Sequence, residues 1–179
     1  MAELVGKRYA SSLFDVAIDL NKIDDFHKQL EFIKTIFNSE TKLLTILEHP
    51  RISSGEKKTL VEKLFKKNIS QELLNFLFII IDKRREEGIM DIIKEYNNLF
   101  KEYKGIIDVE AVTAVPMEST KQEKLKLVLK ERFKKDINLL NRVDPSIIGG
   151  VLLKMDEKLI DSTLKYELKE IGSMINSIS

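Results

Sequence analysis

From Leu4 to Tyr103 apolar residues recur at intervals of three and four, and from Ile107 onward they recur first at intervals of two. The first spacing follows one face of an α-helix and the second one face of a strand, so the chain is expected to begin helical and then to build a sheet. Tyr9, Leu13, Val16 and Leu20 form the stripe of a first helix, Leu4 to Leu20. Asp24 is placed to cap a second helix, with Phe26, Leu30, Ile33 and Phe37 on its inner face. A short third helix carries Leu43, Leu44 and Leu47 and stops before His49-Pro50, because a residue preceding proline avoids the α region. Ser53-x-x-Glu56 is a capping box that opens a fourth helix with Leu60, Leu64 and Phe65 inside. Ser70 starts a fifth, which Gly88 is expected to end. A sixth runs from about Met90 to Tyr103, with Ile92, Ile93, Tyr96 and Phe100 apolar, and closes at Gly105.

Beyond Gly105, the residues Ile107, Val109, Ala111, Thr113 and Val115 alternate with Asp108, Glu110, Val112 and Ala114, the pattern of a strand that Pro116 ends. Ser119-x-x-Gln122 reads as a second capping box, opening a helix lined by Leu125, Val128, Leu129 and Phe133. A strand over Ile137 to Val143 follows, then Gly149-Gly150 leading into Val151 to Met155. Lys158 to Ile160 is placed to pair back after a turn at Asp156-Glu157. Leu164, Leu168, Ile171, Ile175 and Ile178 form the heptad seam of a last helix, which either packs on the small sheet or pairs with a helix of another chain. The expected fold is therefore mainly α: a six-helix bundle over residues 1–104, then a small α+β module, β-α-β-β-α, over residues 105–179.

Composition narrows the function. Of the 179 residues, 43% are hydrophobic and 33% charged, enough for a core under a heavily charged surface. The 30 basic and 29 acidic residues nearly cancel, so the basic excess of a nucleic-acid binder is missing. With no cysteine there is no disulfide framework and no thiolate metal site. The longest uncharged run of apolar character, Leu73 to Ile81, is far short of the roughly 20 residues that span a bilayer, and MAELVGKRYA lacks the apolar region of a signal peptide. No direct membrane insertion is expected.

Catalysis requires a group that titrates near working pH, a nucleophile or a metal. The two histidines read as surface or capping residues: His27 in a charged helix, His49 at a helix end before proline. Asp156, Glu157 and Asp161 lack the spacing of a calcium loop and read as turn residues. The run Asp82-Lys-Arg-Arg-Glu-Glu reads as a solvated helix end. DPSIIGGVLLK, from Asp144, runs straight into a strand with no helix start to receive an anion. Its glycines therefore point to a bulge or close backbone approach rather than a phosphate cradle. No catalytic, cofactor or metal residue is assigned. One anomaly remains: Leu73, Leu74, Phe76, Leu77, Phe78, Ile79, Ile80 and Ile81 cover every face of the fifth helix. It is either the central helix of the core or has one face lining a groove for a partner's amphipathic helix.

The stretch VDPSIIGGVLLKMDEKLIDSTLKYELKEI, residues 143–171, resembles the C-terminal motif of the delta subunits of bacterial F-type ATP synthases, relatives of the mitochondrial oligomycin-sensitivity-conferring protein. The matching residues are Asp144-Pro145, Ile148-Gly149-Gly150, the apolar strand with its lysine, Ile160-Asp161 and Leu168. Lys7-Arg8-Tyr9-Ala10 with Leu13-Phe14 resembles the family's opening helix, and Val112 to Pro116 its first strand. The family often has glycine where Asp156 and Ser162 stand, so the hairpin turn is expected to differ in type here.

The resemblance implies a non-catalytic stator subunit without cofactor. One copy would sit on the cytoplasmic face of the cell membrane within the ATP synthase, coupling proton flow to ATP synthesis. Its implied partners are the N-terminus of the alpha subunit and the C-terminus of subunit b, with no nucleic acid. The alpha helix would lie on Tyr9, Ser12, Leu13 and Val16 of the first helix and Phe76, Ile79, Ile80 and Lys83 of the fifth. Subunit b would meet Leu152, Leu164, Leu168 and Ile171. Asp144, Gly149 and Gly150 would be structural. Two other readings stand beside this one. The first is a helical adaptor of another assembly. The second is an enzyme using Asp144 or Asp161 with Lys154, which would need a pocket at the sheet.

Overall fold

Six helices build the first part of this protein: α1 (Ala2–Asp19), α2 (Ile23–Ser39), α3 (Thr41–Glu48), α4 (Ser54–Phe65), α5 (Gln71–Asp82) and α6 (Ile89–Lys104). The structure, a computed structural model, describes residues 2–155, 158–164 and 166. The chain divides into two units, Met1–Phe100 and Lys101–Ser179.

In the first unit the stripes of α2 and α6 are where the sequence puts them. Phe26, Leu30, Ile33 and Phe37 are buried, as are Ile92, Ile93, Tyr96 and Phe100. Tyr96 is fully buried, donates from its hydroxyl to the Ile23 carbonyl at 3.3 Å, and meets Phe14 edge-on with centroids 5.3 Å apart. Burial, and then the nearby charge of Asp24, pushes its phenol pKa far up. The inner face of α1 differs from the expected stripe. Ala10, Leu13, Phe14 and Ala17 are buried, whereas Val16 and Leu20 stay about 40% exposed. Ala10 and Ala17 allow close packing on this face, and Val16 and Leu20 lie beside it at the rim. On α4 the inward residues are Val61 and Phe65, and Leu64 is exposed.

The helix ends follow local chemistry unevenly. The capping box of α4 is present, with the Ser53 hydroxyl accepting from Glu56 N–H and Glu56 accepting from Ser53 N–H. Ser70 caps α5. Helix α2 starts at Ile23, one residue before Asp24, so Asp24 and Asp25 lie in its first turn and favour the helix dipole instead of capping. Helix α5 ends at Asp82, well before Gly88. Arg84 takes a left-handed conformation (φ 52°), its N–H bonds the Ile81 carbonyl, and Arg85 N–H bonds that of Ile80. This is a Schellman ending without glycine. A 3₁₀ turn, Glu86–Gly88, then leads into α6 and buries Glu86 in an ion pair with Lys57, Nζ to Oε1 at 2.7 Å. The run Asp82 to Glu87 is thus not wholly a solvated end.

The second unit is a four-stranded sheet with one helix: β1 (Ile106–Thr113), α7 (Ser119–Phe133), β2 (Asp136–Val143), β3 (Gly150–Met155) and β4 (Lys158–Thr163). The strand order is β2-β1-β3-β4. β1 and β2 are parallel, joined by α7, and the other neighbours are antiparallel. Lys158 to Ile160 does pair back and extends to Thr163, so the expected β-α-β-β-α gains a full fourth strand. Val109, Ala111, Ile137, Leu153 and Met155 form the buried face with Leu129 of α7. Val128 is not part of it; it is 60% exposed. The second expected capping box does not form: Glu118 holds the cap position, and Gln122 donates to the Met117 carbonyl at 2.8 Å. Asn141 ties β2 to the end of β1, donating to Ala111 O and Thr113 Oγ1 and accepting from Met117 N–H.

Candidate docking groove

Helices α1 and α5 run antiparallel: Val5 and Arg8 lie by Arg85, and Lys22, just past the end of α1, pairs with Glu72 at the start of α5. Between them Tyr9 meets Phe76 edge-on, with centroids 6.4 Å apart and planes at 69°. Above this contact lies a cleft of about 320 Å³ lined by Tyr9, Ser12, Leu13, Val16, Glu72, Asn75, Phe76 and Ile79. Leu13 is its buried floor, while Val16 and Ile79 stand 43% and 49% exposed on its two banks. The Ser12 hydroxyl donates to the Arg8 carbonyl one turn back, so it presents a small and internally satisfied surface in mid-groove. A second cleft of about 390 Å³ continues from Tyr9 and Ser12 to Val5, Arg8 and Arg85.

Six of the eight residues expected to meet an alpha-subunit helix therefore share one groove. Two do not. Ile80 is wholly buried in the core under the groove, and Lys83 caps the C-terminus of α5 away from it. The α5 stripe that lines the groove is Glu72, Asn75, Phe76 and Ile79, one turn earlier than expected. Glu72 and Asn75 were legible as the positions four before Phe76 and Ile79, but their polarity hid them. Helix α5 is thus neither buried all round nor open over a whole face: Leu73, Leu74, Leu77, Ile80 and Ile81 enter the core, and Phe76 and Ile79 do not. The hydrogen bond from Lys22, at 2.8 Å, is the first cause that holds the Glu72 carboxyl below its usual range, and the Lys22 charge adds to it.

Of the four residues expected to meet subunit b, Leu152 and Leu164 are among the described residues. Leu152 is half-buried on the face of the sheet opposite α7, paired with Val112 and Asp161. Leu164 is 48% exposed and lies over Gly149, close enough that a Cβ there would come within 2.9 Å of its Cδ1. Leu168 and Ile171 lie outside the described residues, as does Asp156 of the turn.

The stretch from Asp144 is a tight corner. Asp144 Oδ1 accepts from Ser146 N–H at 3.0 Å, capping a 3₁₀ turn, and hydrogen bonds from Ser146 hold the Asp144 carboxyl below the usual carboxylate range. Ile148 has φ 67° and ψ −47°, and Gly149 N–H donates across it to the Ile147 carbonyl at 2.7 Å, a γ-turn. Gly149 O then accepts from Leu164 N–H at 3.1 Å. Gly150, at φ 82°, lies against Ser162 and Thr163 of β4. The glycine pair is a place of close backbone approach. Asp161 accepts from Thr163 N–H, and Lys154 lies 3.6 Å from Glu110, so the residues of the enzyme reading serve the sheet.

The histidines are structural. His27 stacks on Phe100, with centroids 3.9 Å apart, and bonds Asn97, while His49 Nδ1 accepts from Arg51 N–H. His27 is therefore not the surface histidine its charged neighbours suggest. Among the described residues no group of three potential metal ligands occurs, and no helix is long and apolar enough to cross a membrane.

Residues 5–175 match the family model described as ATP synthase delta (OSCP) subunit. The ATP synthase subunit delta of Alkaliphilus oremlandii (strain OhILAs) is 42% identical over 178 residues, 99% of each chain. That of Clostridioides difficile (strain 630) is 32% identical over 179 residues, again 99% of each. The fold is similar to that of a chain in the cryo-EM structure of the Toxoplasma gondii mitochondrial ATP synthase hexamer, with TM-score 0.75 and 18% identity over 95% of this chain and 96% of that one.

Proposed function

The chain belongs to the ATP synthase delta (OSCP) subunit family, and from that premise we propose that it is the non-catalytic stator subunit that joins the catalytic head to the peripheral stalk. Residues 1–104 take the head, through an amphipathic helix from the N-terminus of the alpha subunit that lies in the α1–α5 groove. Residues 105–179 take the C-terminal helix of subunit b, with Leu152, Leu164, Leu168 and Ile171 as contacts. One copy works at the cytoplasmic face of the membrane, held there by its partners.

The observation that carries this reading is the groove. Its apolar banks, Val16 and Ile79, are half-open to water above the Tyr9–Phe76 contact. Each large apolar side chain buried there contributes about 1.5–3 kcal/mol. A stator must resist torque, and a joint of nanomolar affinity corresponds to about 12 kcal/mol. Two interfaces in two units let the load pass from head to stalk. Titration of the full chain with a synthetic peptide of the alpha-subunit N-terminus tests the head contact, with amide shifts expected at Tyr9, Val16, Phe76 and Ile79. A pull-down from native membranes should bring both head and stalk subunits. No shift at the groove, or recovery of neither set of subunits, overturns the proposal.

A further inference from the structure

The groove is apolar along its middle but differs at its ends. At one end Arg8 and Arg85 line the continuing cleft, both exposed, and among the described residues neither guanidinium has an acidic partner. At the other end Glu72 is already paired with Lys22 at 2.8 Å, and Asn75 accepts from Gln71. One end therefore holds two free positive charges, and the other is neutralised from within the chain.

An α-helix lying in such a groove has its own polarity. Its C-terminus carries unsatisfied carbonyls and a partial negative charge, its N-terminus a partial positive one. Carboxylates near the C-terminal end would meet Arg8 and Arg85 in the bidentate geometry that arginine favours. The reverse orientation sets the positive end of the helix against two uncompensated cations. From Val5 to Val16 the bank of α1 rises about 16 Å, which matches about three turns of a docked helix.

We infer that the groove selects the direction of its occupant as well as its apolar face. The docked helix runs antiparallel to α1, with its C-terminal turn, bearing a carboxylate, over Arg8 and Arg85 and its N-terminal turn beside Val16 and Glu72. This inference rests on the groove being the docking site for the alpha-subunit helix. It adds the direction and the charge that sets it.

The test uses the full chain and the alpha N-terminal peptide labelled with a nitroxide at one end or the other. A label at the peptide C-terminus should broaden the amides of Val5 to Tyr9 and Arg85, and a label at the N-terminus those of Val16 and Glu72. The double variant Arg8→Glu/Arg85→Glu should bind the peptide roughly tenfold or more weakly at low salt, with the difference shrinking as salt is raised. The opposite broadening pattern, or an affinity that charge reversal leaves unchanged, overturns the inference while leaving the groove as the docking site. Absence of any peptide binding by the unaltered chain counts against the docking site itself. The substituted positions are exposed, so an unchanged melting temperature of the double variant separates lost binding from lost fold.

Discussion

A Cβ atom placed on Gly150 would lie 2.2 Å from the carbonyl oxygen of Ser162. That oxygen is backbone in β4 and cannot swing aside, and the φ of 82° at Gly150 is itself unfavourable for an L-residue. Gly150→Val should therefore part the start of β3 from the end of β4 and destabilise the second unit by more than about 3 kcal/mol. Amide exchange at Leu164 and Thr163 should accelerate. With stalk attachment proposed for this unit, pumping in membrane vesicles should fall while ATP hydrolysis by the soluble head of the same mutant continues. Normal pumping, or loss of hydrolysis in the isolated head, would count against that account. At Gly149 an added Cβ meets only the end of the Leu164 side chain, at 2.9 Å, so Gly149→Ala should be much milder.

Adjacent residues of α5 should respond in opposite ways to one charge. Ile79 is half-exposed on the groove, so Ile79→Asp should leave the melting temperature nearly unchanged and weaken the alpha peptide by roughly tenfold or more. Ile80 is fully buried, so Ile80→Asp should unfold the first unit. Thermal melts and peptide titrations on the two variants check both halves, and equal affinity of Ile79→Asp and the unaltered chain removes the groove.

The Lys57–Glu86 pair is buried at both ends, with side chains 8% and 6% exposed. Removing one partner strands the other charge away from water. Lys57→Met should cost about 3–5 kcal/mol. Lys57→Met combined with Glu86→Leu should recover most of it, since an apolar pair of similar volume packs without a desolvation cost. Denaturant unfolding of both variants measures the difference. A double variant no more stable than the single one would show that the pair has further polar partners.

Asp108 should make the second unit sensitive to acid. Burial raises its carboxyl, but hydrogen bonds from Lys101 and Asn138 and the charge of Lys101 outweigh this and hold the pKa below its ordinary 3.8. A depressed folded pKa contributes stability above the unfolded value and loses it as pH falls through the folded one. The advantage of the unaltered chain over Asp108→Asn should thus be full near neutral pH and shrink below about pH 4. Melting temperatures of the two proteins across that range check the sign, and an advantage that grows on acidification contradicts it.

The linear chain determined which segments are helix and which are strand, because those choices rest on spacing and on partners a few residues away. The three-and-four spacing of Phe26, Leu30, Ile33 and Phe37, the Ser53–Glu56 box, the stop at His49-Pro50 and the turn at Gly105 are all local signals, and each appears in the fold. The family resemblance was legible for a similar reason, since DPSIIGG is a contiguous corner whose turns rest largely on its own hydrogen bonds. Only tertiary packing decided which apolar residues are core. On α5 eight apolar residues cover every face, and hydrophobicity ranks Ile79 with Ile80; helix packing buries one and leaves the other on the groove. The same holds for polar groups. Lys57 and Glu86 are 29 residues apart, and nothing in either neighbourhood marks them as a buried pair. Gly150 reads as a bend from its own neighbours, but the atom that forbids a side chain there is a carbonyl twelve residues later in β4. Burial and close approach are properties of two surfaces meeting, and periodicity along one segment describes only one of them.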